Sequence, residues 1–544
     1  MSRPDQQEPI VFELVERSGP DGGTDHGDAG PGGSSGRRPH RLPRLPRVPR
    51  RTWLVAAAAV AVVVLGVTAV DLVRDHRRAE LMRTSPIGVA SLDDPPAKAW
   101  TVPFDVAAPD GDQLFMDQQQ LLTMDGLLVV PPGTTRGVVQ DVGTGAINPA
   151  PVGFEDVVAV NPGSGEVAWR VPLGGNPVCG PSGYDASVSA DELVCVQGPA
   201  DAREVLTIAA DGGTRTRAAD LADGEQIFPG PDGTAVRVVR TGTAAEEVVC
   251  DLGACTPSVL TEGRDVRVVA EDAVSGDERW TSTVEFAPAD TINCQRVGNE
   301  FEQGSVDADQ VTVYTSAASV TVDGCGIWGA LSMRGVRLDL ASDAGAEVEI
   351  DAGTGMPTRG WVTELGPDLF AVEYDPMRTV VVDGAGKVQR TLDGWLRGGN
   401  VSPDAPDDLW FVTTRSGGHG FVAVREDGSV AWKDLNSQSV LLVGRDVVVA
   451  DRGSRVVGLA RDTGEQVWSW ESGDMAGMSR YRALTDGETV VLEHLRQVGS
   501  GSGLLVALDL GTGEQVWDAP LAGSAVAVDG HVVEVGPEGL AGLG

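Results

Sequence analysis

The sequence predicts an all-β protein, a β-propeller of four-stranded antiparallel blades placed after one transmembrane helix. Three observations predict it: one turn phrase recurs along the chain, its copies stand about one blade apart, and the two ends of the repetitive part supply complementary pieces of a single blade. Composition agrees, because 71 Gly and 33 Pro among 544 residues suit many reversals and short strands. A chain of that length also exceeds one ordinary core.

The phrase is clearest in four copies. They are "VAVNPGSGEVAW" with Gly165 and Trp169, "VAEDAVSGDERW" with Gly276 and Trp280, "VGLARDTGEQVW" with Gly464 and Trp468, and "VALDLGTGEQVW" with Gly513 and Trp517. An alternating apolar run makes a half-buried strand, Ser/Thr-Gly permits a tight reversal, and the next strand carries Trp. A buried Trp removes about 150–250 Å² from water, so it is the natural wedge between neighbouring sheets. "FVAVREDGSVAW", with Gly428 and Trp432, has a turn one residue shorter. "TVVVDGAGKVQRTL" (379–392) lacks the Trp, and "VLTIAADGGTRTR" (205–217) and "VRLDLASDAGAEVEI" (336–350) are fainter. Two further strand candidates precede each copy, which makes four strands per unit and up to nine units.

The ends complete the pattern. After Trp517 come "SAVAVDG", "HVVEVG" and "GLAGLG", three strands without a fourth. Near the start "AKAWTVPF" (97–104), with Trp100, is a fourth strand without its first three, and it matches "EVAWRVPL" (166–173). Joining the two closes a ring and removes exposed edges. The propeller is therefore expected over 97–544. Two stretches depart from the minimal unit, 243–264 and 322–334, and both read as inserted loops and as the first surfaces to test for binding.

Ahead of the repeats, residues 53–73 begin with 18 uncharged residues, "WLVAAAAVAVVVLGVTAV", enough to cross a bilayer's hydrocarbon. Seven Arg crowd into 37–51, which places residues 1–52, rich in Gly, Asp, Ser and Pro, on the cytoplasmic side as a disordered basic segment. Residues 74–96 then read as a stalk, and the propeller as extracytoplasmic in the cell membrane. A cleaved signal peptide fits less well, because its apolar core is shorter.

All six cysteines lie in the exported part, as expected of disulfides in an oxidising compartment. Chain order suggests Cys179–Cys195, Cys250–Cys255 and Cys294–Cys325, among fifteen possible pairings. The net charge is −37 and the excess acid lies beyond residue 84, so the body repels phosphate backbones and excludes nucleic acid as a partner. No EF-hand spacing, paired C-x-x-C, Gly-x-Ser-x-Gly elbow or phosphate-cradling loop stands out. Catalytic, cofactor and metal residues are thus all read as none.

The Ala-x-Asp-x-x-Thr-Gly-x-x-x-Trp phrase at 507–517 resembles the repeat of pyrroloquinoline-quinone (PQQ)-type β-propellers, a group with many bacterial membrane-anchored members. The resemblance implies a PQQ-like ring, eight blades being usual, with seven to nine open. The group includes quinoprotein dehydrogenases, a lipoprotein of the outer-membrane assembly machinery, and many tethered propellers. The quinoprotein enzymes add adjacent cysteines, a Ca²⁺ site of Glu, Asn and Asp, and an Asp base. Here the nearest cysteines, Cys250 and Cys255, are not adjacent, and no such Ca²⁺ set can be placed. The expectation is a non-catalytic scaffold with no cofactor, docking another envelope protein or a wall component. The alternative is a PQQ- and Ca²⁺-dependent alcohol or sugar dehydrogenase.

Overall fold

The computed structural model describes residues 76–544 except 107–120, 133–134, 141–146, 182–187, 252–253, 292–303, 307, 340–360, 367, 375–377, 397–399, 407, 414–419, 472–482 and 495–502. The described residues hold 43 strands and one helix, over 76–83, in keeping with the all-β expectation. Among them no helix is long and apolar enough to cross a membrane. The basic segment 1–52 and the expected span 53–73 lie outside the described residues.

Outer strands such as Gln515–Leu521 alternate in exposure, while inner strands such as Val447–Asp451 and Thr489–His494 are buried throughout. A turn after each strand gives antiparallel meanders in chain order. Nine sheets follow that plan, at 122–171, 178–218, 225–284, 311–332, 361–393, 409–434, 439–471, 483–521, and 524–543 together with Lys98–Pro103. The last is the closure read from the sequence. Trp100 stands opposite Gly542 and Val102 opposite Leu540, and Ala97 and Gly544 exchange both backbone hydrogen bonds at 3.0 Å.

Apolar packing follows the same order. Each main cluster draws on two consecutive sheets: Leu128 and Val158 of the first meet Val533 and Leu540 of the ninth, and Ala507 and Trp517 of the eighth meet Val526's neighbours Ala525 and Ala527. Seven further clusters join the sheets between, from first–second to seventh–eighth. The packing therefore returns to its starting sheet. Each fully buried Leu, Val or Phe in it contributes roughly 1.5–3 kcal/mol.

Two expectations are corrected. Residues 322–334 are not an inserted loop: Ser319–Gly324 and Ile327–Ser332 are paired strands of the fourth sheet, and Ile327–Ser332 is buried throughout. The turn sought at 336–350 lies earlier, at Met333–Gly335, where the phrase has lost both its Asp and its Trp. Residues 74–96 are not a free stalk either. Met82, Val89 and Leu92 are buried, Val89 N–H donates to the Thr485 carbonyl at 2.9 Å, and Ala90 N–H donates to the Gly530 carbonyl at 2.8 Å. The segment binds the first turns of the eighth and ninth sheets. Its single use, with no period to betray it, explains why pattern reading left it loose.

Candidate functional site

The repeat residues come together as seams between sheets. Each Trp on an outer strand lies across the turn Gly of the next sheet, where a methyl would strike the indole. A Cβ on Gly165 would stand 2.5 Å from Trp100, one on Gly212 2.8 Å from Trp169, one on Gly335 2.8 Å from Trp280, one on Gly464 2.6 Å from Trp432, and one on Gly513 2.5 Å from Trp468. In four of these five seams the indole N–H then donates to a carbonyl of the same turn: Trp100 to Pro162 at 3.0 Å, Trp169 to Ala210 at 2.8 Å, Trp432 to Arg461 at 2.6 Å and Trp468 to Leu510 at 2.8 Å, whereas Trp280 Nε1 is buried without a hydrogen-bond partner. Trp517 has no continuous turn to meet, because the ninth sheet takes its outer strand from the other end of the chain. Its N–H reaches the Leu92 carbonyl at 2.7 Å, so the 84–96 segment stands in for the missing turn.

At two of the units that lack Trp, arginine takes the same place. Arg217 Nε donates to the Ala273 carbonyl at 2.8 Å beside Gly276, and Arg390 Nη1 donates to the Arg425 carbonyl at 3.1 Å beside Gly428. Both are planar donors that cover a turn as an indole does. Arg217 also pairs with Glu271, which Arg237 holds from the other side at 3.3 Å. Sequence reading recorded a missing Trp at 379–392 and a faint copy at 205–217; the signal it passed over was an Arg four residues after Gly386 and five after Gly212.

The turns are set by their Asp or Asn. Asn161 Oδ1 accepts from Gly163 N–H at 3.0 Å and Ser164 N–H at 3.1 Å, and Asp272 Oδ1 accepts from Val274 N–H at 3.0 Å and Ser275 N–H at 2.8 Å. The Ser275 N–H and the Arg279 guanidinium together hold the Asp272 carboxyl at about 2, below the usual carboxylate range. These groups are committed to the turns of the ring. Among the described residues no cluster of three or more His, Cys, Asp and Glu is arranged to hold a metal ion.

The excursion at 243–264 is a built structure. Val248–Asp251 pairs with Ala254–Thr256 and with Gly304–Val306, and Val259–Leu260 pairs with Ala289–Asp290. Two excursions from the third sheet, one inside it and one after it, thus make small sheets of their own. Val248, Leu260 and Ala308 form their core together with Cys325, which comes from the fourth sheet's hairpin. Phe286 clamps the assembly, since a Cβ on Gly263 would lie 2.4 Å and one on Gly326 2.2 Å from its ring. Val249 and Val259 remain 48% and 46% exposed, large apolar side chains turned outward from this ordered base.

Of the cysteines, Cys179 and Cys195 face each other across paired strands and are bonded, with S–S 2.01 Å. Cys255 and Cys325 are also in disulfides, and Cys250 stands opposite Cys255 in strand register. Cys294 lies outside the described residues.

The repeat family described as outer membrane protein assembly factor BamB matches residues 94–331 and 347–536. No curated protein matches the chain. Among solved structures, BamB from Moraxella catarrhalis is 12% identical, with a TM-score of 0.37 over 82% of this chain and 97% of that one. The dihydro-heme d1 dehydrogenase NirN in complex with DHE is 12% identical, with a TM-score of 0.32 over 80% of each chain. The computationally designed Ika8 protein is 13% identical, with a TM-score of 0.32 over 64% of this chain and 92% of that one.

Proposed function

The chain belongs to the PQQ-like β-propeller repeat family of the outer membrane protein assembly factor BamB, and from that premise we propose that it is a non-catalytic binding module of the cell envelope. In this reading nine blades form one ring, held outside the membrane by the helix at 53–73 with the N-terminus in the cytoplasm. Nine sheets packed in cyclic order support the blade count, one above the eight usual for this repeat. The partner is another envelope protein, in line with the assembly role in the family's name.

The observation that carries the reading is the excursion module. Ordering 22 residues costs on the order of 1–2 kcal/mol each in backbone entropy, which a passive loop would leave unspent. Here the stretch has its own sheets, its own core and the disulfide-bonded Cys255, and it presents Val249 and Val259 to solvent. A rigid base with exposed apolar side chains is the anatomy of a docking surface.

Photo-crosslinking on intact cells tests this. A crosslinking residue at Val249 or Val259 should capture one envelope protein that the same residue at Val430 or Val467, on outer strands, does not. Equal labelling at all four positions counts against the module. The quinoprotein alternative is tested by titrating the protein with PQQ and Ca²⁺ and following the cofactor spectrum; saturable uptake with dye reduction by alcohols or sugars would overturn the non-catalytic reading.

A further inference from the structure

The third and fourth sheets meet at a seam whose two ends are built differently. The turn end is the weaker one. Trp280 Nε1 is buried there without a hydrogen-bond partner, where the indoles of Trp100, Trp169, Trp432 and Trp468 each reach a carbonyl of the next turn. A buried donor left unmet forfeits its bond and its hydration together.

The other end is held by more than packing. Successive turns of an antiparallel meander alternate between its two ends, so the fourth sheet's turn at Met333–Gly335 and its hairpin at Gly324–Ile327 lie at opposite ends. At the hairpin end Ala287 N–H donates to the Gly326 carbonyl at 2.8 Å, the Phe286 ring covers Gly326, and Val284 lies against Gly329. Cys325 sits in that hairpin, 3% exposed, and is in a disulfide. Cys179 and Cys195 are bonded to each other, so the partner of Cys325 is Cys250, Cys255 or Cys294. All three belong to the excursions over 243–264 and 285–310 that leave the third sheet, and those excursions are hydrogen-bonded to each other in both small sheets. Whichever cysteine it is, the bridge ties the third sheet's excursions to the fourth sheet at the end away from Trp280.

We propose that the excursions are a strap across this seam: the disulfide of Cys325 bars it, and without that bond the ring opens first between the third and fourth sheets. A cross-link restricts the open arrangement more than the closed one, so it favours closure without adding a contact to the weak turn end. The strap uses the inner side of the module, Phe286 and Cys325 around the core of Val248 and Leu260, whereas docking uses the outward Val249 and Val259. It needs no partner, so the strap and the docking reading fail independently.

The test is amide hydrogen exchange of the full-length chain in detergent, read at the Ala287 amide, whose acceptor lies across the seam. In Cys325→Ala this amide should exchange at least about tenfold faster. The Val89 amide, bonded to Thr485 at another junction, should keep its parent rate. Peptide mapping without reductant should find Cys325 joined to Cys250, Cys255 or Cys294. Trp280→Phe removes an unmet donor and should leave the urea midpoint nearly unchanged, whereas Trp468→Phe gives up the bond to Leu510 and should lower it. Unchanged Ala287 exchange in Cys325→Ala, an equal rise at Val89, or a free Cys325 thiol overturns the strap, and equal losses for the two Phe variants overturn the weak turn end. If Cys325→Ala does not fold, dithiothreitol added to the folded chain carrying Cys179→Ala and Cys195→Ala gives the same comparison. Faster Ala287 exchange with no partner captured at Val249 would leave the strap standing and sink the docking reading.

Discussion

The seam between Trp468 and Gly513 makes a quantitative prediction about coupling. Gly513 has φ of 70°, a conformation that costs an L-residue roughly 1 kcal/mol, and a Cβ there would stand 2.5 Å from Trp468 Cδ2. Ordinary contact needs about 3.5–4.0 Å, so the indole would have to move by about 1 Å. It is hemmed in from below, since a Cβ on Gly458 would lie 2.1 Å from the same ring. Overpacking of that kind adds about 1–3 kcal/mol, so Gly513→Ala should cost about 2–4 kcal/mol in all. Trp468→Ala removes the wedge and leaves the Leu510 carbonyl without its donor, which should cost about 3–5 kcal/mol.

The two losses should not add. Once the indole is gone the new methyl has nothing to strike, and Gly513→Ala in the Trp468→Ala background should cost only the backbone term of about 1 kcal/mol. The coupling energy is therefore about 1–3 kcal/mol, read from urea midpoints followed by far-UV circular dichroism. Gly276→Ala is the internal control. Its φ is 79°, but its nearest neighbour is the flexible Arg217 at 3.6 Å, so it should cost about 1 kcal/mol in any background. Equal costs for Gly513→Ala with and without Trp468 would refute the seam as described.

Other consequences follow from single features. Deleting everything before Ala97 leaves the strands of all nine sheets but removes the Leu92 carbonyl from Trp517, so the urea midpoint should fall and tryptophan emission shift to the red; unchanged values would return 84–96 to the status of a stalk. Replacing Cys179 and Cys195 with Ala opens a loop closed by a bond of sequence separation 16 and should cost about 3 kcal/mol, a loss that reduction of the parent's bond should mimic. Asp272 has a folded-state carboxyl held down at about 2, so its charge stabilises the fold above about pH 4, and that contribution disappears as pH falls through about 2. Its side chain is 35% exposed, which solvent screening discounts to about 1 kcal/mol; the stability gap between Asp272→Asn and the parent should be constant near neutrality and close between pH 4 and 2.

Legibility in the sequence tracked periodicity. Trp169, Trp280, Trp432, Trp468 and Trp517 were legible as seam residues because each stands four residues after a Gly, and repetition is what pattern reading detects. The closure by 97–104 was legible for the same reason, since Trp100 copies Trp169. What escaped notice was unique. The fourth sheet's turn at Gly335 has neither the Asp nor the Trp of the phrase, so its buried strand Ile327–Ser332 read as an inserted loop. Arg217 and Arg390 escaped because hydrophobic matching scores a guanidinium as the opposite of an indole. Physically both are flat donors that cover a turn and reach its carbonyl.

That division bears on where function can lie. A Trp–Gly seam fixes its neighbours so tightly that neither residue can be lent to a ligand without opening the ring. The turn side chains are committed in the same way: Oδ1 of Asn161, Asp272 and Asp509 accepts from backbone N–H groups of its own turn. Freedom to bind therefore falls to groups outside the phrase. Val249 and Val259 sit on an excursion that the repeated unit does not require. The 76–96 segment also lies outside the phrase, and it gives the Leu92 carbonyl to Trp517 and so holds a seam of the closing sheet.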